Sequence, residues 1–251
     1  MSALPILMYH GVPAEPDAVP DPLRVPAADF RTQIATLTAD GWELLGLTEA
    51  LSAKAADPRR PVIALTFDDA YDDFLNAAVV LAEFGARSTL YVPTGSVGSP
   101  GYLGWDQLGA LAAAGVEIGS HSRQHHPMDT LPPAALGDEL VRSRAELTAR
   151  LDVPIRSFCY PHGYSNRRAR RAVADAGYLN ACVIGRRLAR PADDRFALPR
   201  LQPLPGMSRD ELRRMVTSGE PGLSPVVKRA LQPAWRMARL ASTRVLMHEL
   251  T

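Results

Sequence analysis

Several features that would mark a specialised class are scarce or missing in this 251-residue chain. It has only two cysteines, Cys159 and Cys182, and both sit in apolar runs, where Cys acts as a small buried hydrophobe. That excludes a disulfide framework. Charge of either sign is not in excess: Lys plus Arg (28) and Asp plus Glu (27) leave a net charge of +1. No overall field is available to gather nucleic acid, and nucleic-acid binding is not expected. There is no internal repeat or low-complexity tract, and no uncharged apolar stretch approaches the ~20 residues needed to cross a bilayer. The opening residues, Met1 to His10, lack a basic n-region and carry too short an apolar run for a secretion signal. The chain as given therefore reads as soluble and cytoplasmic. What it does have is apolar content, 46%, enough for one large α/β domain.

The most informative stretch is Val62-Ile63-Ala64-Leu65-Thr66-Phe67-Asp68-Asp69. A continuous apolar run ending in two adjacent carboxylates reads as a buried parallel strand whose C-terminal end opens into a site. Either Asp could cap a helix starting near Ala70, which explains one acid well and two only in part. The chemical alternative divides the labour: one carboxylate holds a metal and the other accepts a proton from water beside it.

Hydrophobic periodicity places strands at about 5–9, 42–45, 62–69, 87–92, 116–119, 158–160, 179–184 and 198–201. Between them it places helices at about 27–40 (stopped by Gly41), from 48, at 71–84, 105–114, 134–151 and 166–176, with a short one at 208–217. A Pro-rich, acidic loop spans Gly11 to Pro26. Alternating strand and helix implies α/β architecture with a parallel sheet, and about seven repeats close more naturally into a barrel than they stay open.

On that frame His10, Asp68, Asp69, His121 and the Tyr160-Pro161-His162-Gly163 turn all fall at C-terminal strand ends, where sites in parallel barrels lie. The i, i+4 spacing of His121 and His125 puts both imidazoles on one face of a helical turn, so that one segment can give two nitrogens to one zinc. Two His and one carboxylate leave a position open for water, as a catalytic site requires. His126, at i+5, is turned off that face and reads as a solvated or packed histidine.

These residues carry a resemblance. Thr66-Phe67-Asp68-Asp69, His121-Ser122-x-x-His125 and Tyr160-Pro161-His162-Gly163 resemble the three principal motifs of the polysaccharide deacetylase family, the NodB-homology or carbohydrate esterase 4 group. Leu103-Gly104-Trp105-Asp106 and the run from Ala114 to His121 fit the approach to the second motif. The resemblance covers about residues 5–205, leaving 206–251 as a C-terminal helical extension. It implies a distorted (β/α) barrel that binds one divalent metal, usually zinc but also cobalt, nickel, iron or manganese, and hydrolyses N-acetyl groups on amino sugars. By the same resemblance Asp69, His121 and His125 hold the metal, Asp68 is the base, and the main-chain N–H of His162 holds the oxyanion. Tyr160 and Pro161 would shape the acetyl pocket, and Trp105 would either stack on a sugar or sit in the core.

There are departures from the family pattern. Cys159 stands where the family often has an Arg that steers the catalytic Asp, and Arg200, at the end of the last strand, is the candidate replacement or else a surface ion-pair partner. No late histidine occupies the usual general-acid position. Met8-Tyr9-His10-Gly11-Val12 instead resembles the branch of biofilm poly-N-acetylglucosamine deacetylases, in which a histidine after the first strand takes that role. An amide nitrogen must be protonated to leave, so His10 is the expected acid. An O-acetyl esterase, another small-amide hydrolase or a non-catalytic glycan-binding module would share these motifs. Finally, Leu223 to Leu250 intersperses Arg229, Arg236, Arg239 and Arg244 with apolar residues, a pattern that suits either a membrane or protein contact or a helix packed on the barrel.

Overall fold

A computed structural model describes residues 3–219 apart from 18 and 20. The Arg-rich segment 223–250 lies outside the described residues. Fifteen elements follow one another: β1 (Ile6–Tyr9), α1 (Ala27–Ala39), β2 (Glu43–Leu45), α2 (Leu47–Ala56), β3 (Val62–Phe67), α3 (Phe74–Glu83), β4 (Thr89–Val92), α4 (Trp105–Ala113), β5 (Glu117–Ser120), α5 (Pro133–Leu151), β6 (Ser157–Cys159), α6 (Arg167–Asp175), β7 (Asn180–Ile184), β8 (Leu198–Arg200) and α7 (Arg209–Ser218). Every pairing between these strands is parallel.

The ring runs β1-β3-β4-β5-β6-β7-β8. It is brought nearly to closure where Leu201, just past β8, pairs with Leu7: Met8 N–H donates to Leu201 O and Leu201 N–H to Ile6 O, both at 2.8 Å. The expected barrel of about seven strands is present, and its distortion has a visible origin. β3 and β4 pair only where the C-terminal end of β3 meets the first residues of β4, Thr66 with Thr89 and Phe67 with Leu90. Lower down, β2 is wedged between them, in register with Val62–Ala64 and accepting from Arg87 N–H at Leu44 O.

β3 is buried along its whole length, which is why its sequence is an unbroken apolar run rather than an alternating one. Its outward residues Ile63, Leu65 and Phe67 meet Phe30, Ile34 and Leu37 of α1 and Phe74, Ala77 and Leu81 of α3 in the main core. A second cluster, including Ile6, Ala64, Tyr91, Cys159 and Cys182, fills the inside of the barrel. Gly119 of β5 is required there: a Cβ would lie 2.5 Å from the Tyr91 ring. α7 starts with a Ser208/Glu211 capping box, places Leu212, Met215 and Val216 in the core, and is tied to the end of α1 by Arg213 on Asp40.

Two local expectations are corrected. The helix after β3 begins at Phe74 rather than near Ala70, and neither Asp68 nor Asp69 caps it. Residues 69 and 70 instead turn through the left-handed region, with φ of 72° and 55°. The His121–His125 segment is not helical either, because Ser122 (φ 66°) and His125 (φ 58°) break it into a tight irregular loop.

Candidate active site

Three turns at the C-terminal mouth of the barrel build the site: residues 68–71 after β3, 121–125 after β5, and 160–163 after β6. Of the seven non-glycine residues with positive φ among the described residues, five lie here: Asp69, Ala70, Ser122, His125 and His162. Such conformations persist only where surrounding contacts over-determine them, and they collect at functional sites. Here Leu103 N–H donates to Ala70 O and Asp72 N–H to Gly101 O, both at 3.0 Å, and His125 N–H is capped by Ser122 Oγ at 3.1 Å.

The two adjacent carboxylates have opposite surroundings. Asp69 Oδ1 lies 3.4 Å from His121 Nε2 and 3.1 Å from His125 Nε2. Although the 121–125 segment is not helical, its loop still brings the two rings to 4.8 Å between centroids. His121 Nδ1 donates to Cys159 O at 2.8 Å, a backing bond that fixes the tautomer and turns Nε2 toward Asp69. Donor atoms of Asp69, His121 and His125 lie within 4.8 Å of one another. Burial would raise the Asp69 carboxyl, but hydrogen bonds from the two imidazoles more than offset it and hold the group well below the usual carboxylate range. Burial likewise pushes His121 down, and the carboxylates bring it above its ordinary value. The cluster is therefore tuned to hold positive charge between its nitrogens and the carboxylate. Two imidazoles and one carboxylate suit a divalent transition metal.

Asp68 faces the other way. Arg200 Nη1 donates to its Oδ1 and Nη2 to its Oδ2, each at 2.7 Å, and the side chains are only 1% and 4% exposed. Nη1 also reaches Thr66 Oγ1, at 3.2 Å, and that hydroxyl donates to Leu7 O. The guanidinium lies over the Tyr91 ring, 5.9 Å from its centroid. Burial would raise the Asp68 carboxyl, but the charge and hydrogen bonds of Arg200 override it and leave the group at about 2. Asp68, His121 and Cys159 also lie close enough to share an ion. A cation there would stand against the buried guanidinium and meet a thiol that burial pushes well up, so this group is the poorer site.

His10 follows β1 directly and puts Nε2 3.8 Å from Asp68 Oδ2. Burial brings its pKa below the ordinary value despite the two carboxylates. His162 is exposed at the rim, its ring 4.8 Å from that of His125. Tyr160 is fully buried, with its hydroxyl on Phe196 O, so it bears on the site through the main chain that carries buried Pro161 and His162. Trp105 is half-buried against the core, with the Arg150 guanidinium 5.4 Å from its ring centroid. His126 lies 3.9 Å from Glu139, whose carboxylate accepts from the N–H groups of Arg123 and Gln124 and so holds the 121–125 loop. Two features had no signal in the sequence: the Cys159 thiol, 3.5 Å from Asp68, and Tyr71, whose hydroxyl is pushed up by burial and by the nearby Asp69 carboxylate.

A nearly closed parallel barrel with acids and histidines gathered at its C-terminal mouth defines a NodB-type hydrolase fold. The chain belongs to the polysaccharide deacetylase family, whose model matches residues 55–181. It is 28% identical over 208 residues to YxkH of Bacillus subtilis (strain 168), which carries the polysaccharide deacetylase name, covering 82% of this chain and 73% of that one. Among solved structures it resembles Streptococcus pyogenes deacetylase PplD in complex with acetate, with a TM-score of 0.78 at 25% identity over 85% of this chain and 98% of that one. It also resembles IcaB from Ammonifex degensii in fold, with a TM-score of 0.76 at 22% identity over 87% and 98%.

Proposed function

We propose that this protein is a metal-dependent hydrolase that removes N-acetyl groups from N-acetylglucosamine-type sugars in a polysaccharide or glycan precursor and releases acetate. The observation that carries this reading is the division between the two acids. Asp69 shares two histidines, whereas Asp68 is paired through both oxygens with a buried guanidinium and stays ionised. A binding module has no use for a second carboxylate kept free beside a ligand, since like charges repel at a cost.

Asp69, His121 and His125 would hold the cation, zinc or a related divalent ion, which when bound acidifies water and polarises the acetyl carbonyl. Asp68 keeps its orientation through the paired bonds from Arg200, and each of its oxygens retains a lone pair with which to accept the proton of the attacking water. The main-chain N–H of His162, in its left-handed turn, supports the oxyanion. His10 donates to the departing nitrogen. Burial favours the neutral imidazole in the resting state, so the proton taken up by Asp68, 3.8 Å away, recharges it. A histidine in this position after β1 is also our reason for placing the chain with the biofilm-type branch.

The test is acetate release from N-acetylglucosamine oligosaccharides, with metal content measured in parallel. Asp69→Ala and His121→Ala should lose metal and activity together. Asp68→Asn should keep the metal and lose about 10²-fold or more in turnover. An Asp68→Asn protein with full turnover removes the base assignment. Faster release from acetylated xylan than from the amide would mark the protein as an O-acetyl esterase.

A further inference from the structure

Among the described residues every aromatic side chain is in the core or packed against it, except Tyr71, Tyr102 and Tyr164. Two of the three meet at the mouth of the site. Tyr71 and Tyr102 come from separate loops, yet their rings are 5.3 Å apart between centroids and inclined at 40°. Their backbones form an antiparallel bridge, flanked by the bonds from Asp72 to Gly101 and from Leu103 to Ala70, and Tyr102 N–H is tied to Ser99 O at 3.0 Å. Both rings are half-buried, so each keeps part of its surface in solvent. Tyr71 stands two residues from Asp69, and the bonds that flank the bridge run to Ala70 and Asp72 of the same turn, which puts the pair at the edge of the cluster that would hold the reacting acetamide.

Packing alone gives no account of this pair. Two large rings left out of the core are fixed by backbone bonds beside the reactive cluster, while Trp105 already has Arg150 over its ring. A rigid, amphipathic tyrosine surface suits a ligand with an apolar face and a polar edge, because little side-chain freedom is lost when it is covered. The C–H face of a pyranose ring is such a ligand.

We propose that Tyr71 and Tyr102 form a stacking platform for the sugar next to the one being deacetylated, so that the substrate is a chain of at least two amino-sugar units. This rests on the deacetylase reading above. Tyr102 is the residue to test, since its ring packs on Tyr71 rather than within the Asp69–His121–His125 cluster.

The experiment compares wild type, Tyr102→Ala and Tyr102→Phe on three substrates: an N-acetylglucosamine tetramer, the monomer and an aryl acetate. The platform predicts that wild type favours the tetramer over the monomer and that Tyr102→Ala raises KM for the tetramer about tenfold. It also predicts unchanged kcat, unchanged aryl acetate hydrolysis, and near-wild-type behaviour in Tyr102→Phe, which keeps the ring. An unchanged tetramer KM in Tyr102→Ala, in an enzyme that does act on chains, overturns the platform alone. Equal losses on tetramer and aryl acetate overturn it too, because they assign Tyr102 a structural role. A wild type that cleaves the aryl acetate but no acetylated amino sugar overturns the deacetylase reading and the platform with it.

Discussion

Replacing Arg200 by Met tests how Asp68 is held. Met keeps much of the side chain's length and removes both charged bonds to Asp68, leaving that carboxylate buried beside the Cys159 thiol at 3.5 Å, His10 at 3.8 Å and His121 within 4.8 Å. The depression of the Asp68 carboxyl from its ordinary 3.8 to about 2 corresponds to roughly 2 kcal/mol in favour of the folded state, net of burial. Breaking the pair costs more, about 3–5 kcal/mol, because an uncompensated buried charge remains. The assay is urea unfolding of metal-free wild type, Arg200→Met, Asp68→Asn and the double variant, so that metal binding does not enter the balance. Arg200→Met should be the least stable, and adding Asp68→Asn should recover about 2 kcal/mol by removing the stranded charge. The pH dependence has a definite sign. The folded pKa lies below the unfolded one, so the pair's contribution is complete above about pH 4 and is lost as pH falls through 2. The gap between wild type and Arg200→Met should narrow over that window. A gap under about 1 kcal/mol at neutral pH, or one that is flat from pH 5 to pH 2, would refute this account of the pair.

His10→Ala should retain its metal and lose about 10²-fold in turnover on the amide, with a much smaller loss on an aryl acetate, whose leaving group needs little protonation; metal analysis and parallel assays check it. Ala70→Gly should raise the melting temperature, by about 1 kcal/mol of stability, since Ala70 sits at φ 55° without the freedom of glycine; a lower melting temperature would show that the Ala70 methyl packing outweighs its strain. Gly119→Ala should cost about 1–3 kcal/mol in chemical denaturation, because the new methyl meets the Tyr91 ring on which Arg200 rests; an undiminished stability would mean the ring moves freely.

Strand ends were the most legible part of this molecule. Buried parallel strands are apolar throughout, so a polar residue just past such a run stands out, and His10, Asp68, Asp69, His121 and Arg200 were all found that way. The loop joining His121 to His125 was legible in its chemistry and not in its shape. Spacing of four suggested a helical turn, whereas left-handed residues at 122 and 125 bring the rings together by another route. The wedge of β2 between β3 and β4 left no local trace, because register between distant strands depends on long-range packing rather than on periodicity. Tyr71 and Tyr102 were invisible for a related reason. Their loops are unrelated in sequence pattern, and only the backbone bridge between them shows that they belong together.

Asp68 and Arg200 are 132 residues apart, and β8, which carries Arg200, is the strand whose end brings the ring nearly to closure through Leu201. The three candidate metal ligands are all in place by residue 125. During synthesis, then, a growing chain could assemble the candidate cation cluster well before Asp68 gains its partner. Under the proposed function, loading with metal and gaining activity become separate events in the life of the polypeptide. A chain ending before Leu198 would leave Asp68 without its partner and the barrel without its last seam, so the proposed function predicts that incomplete products of translation are silent toward substrate.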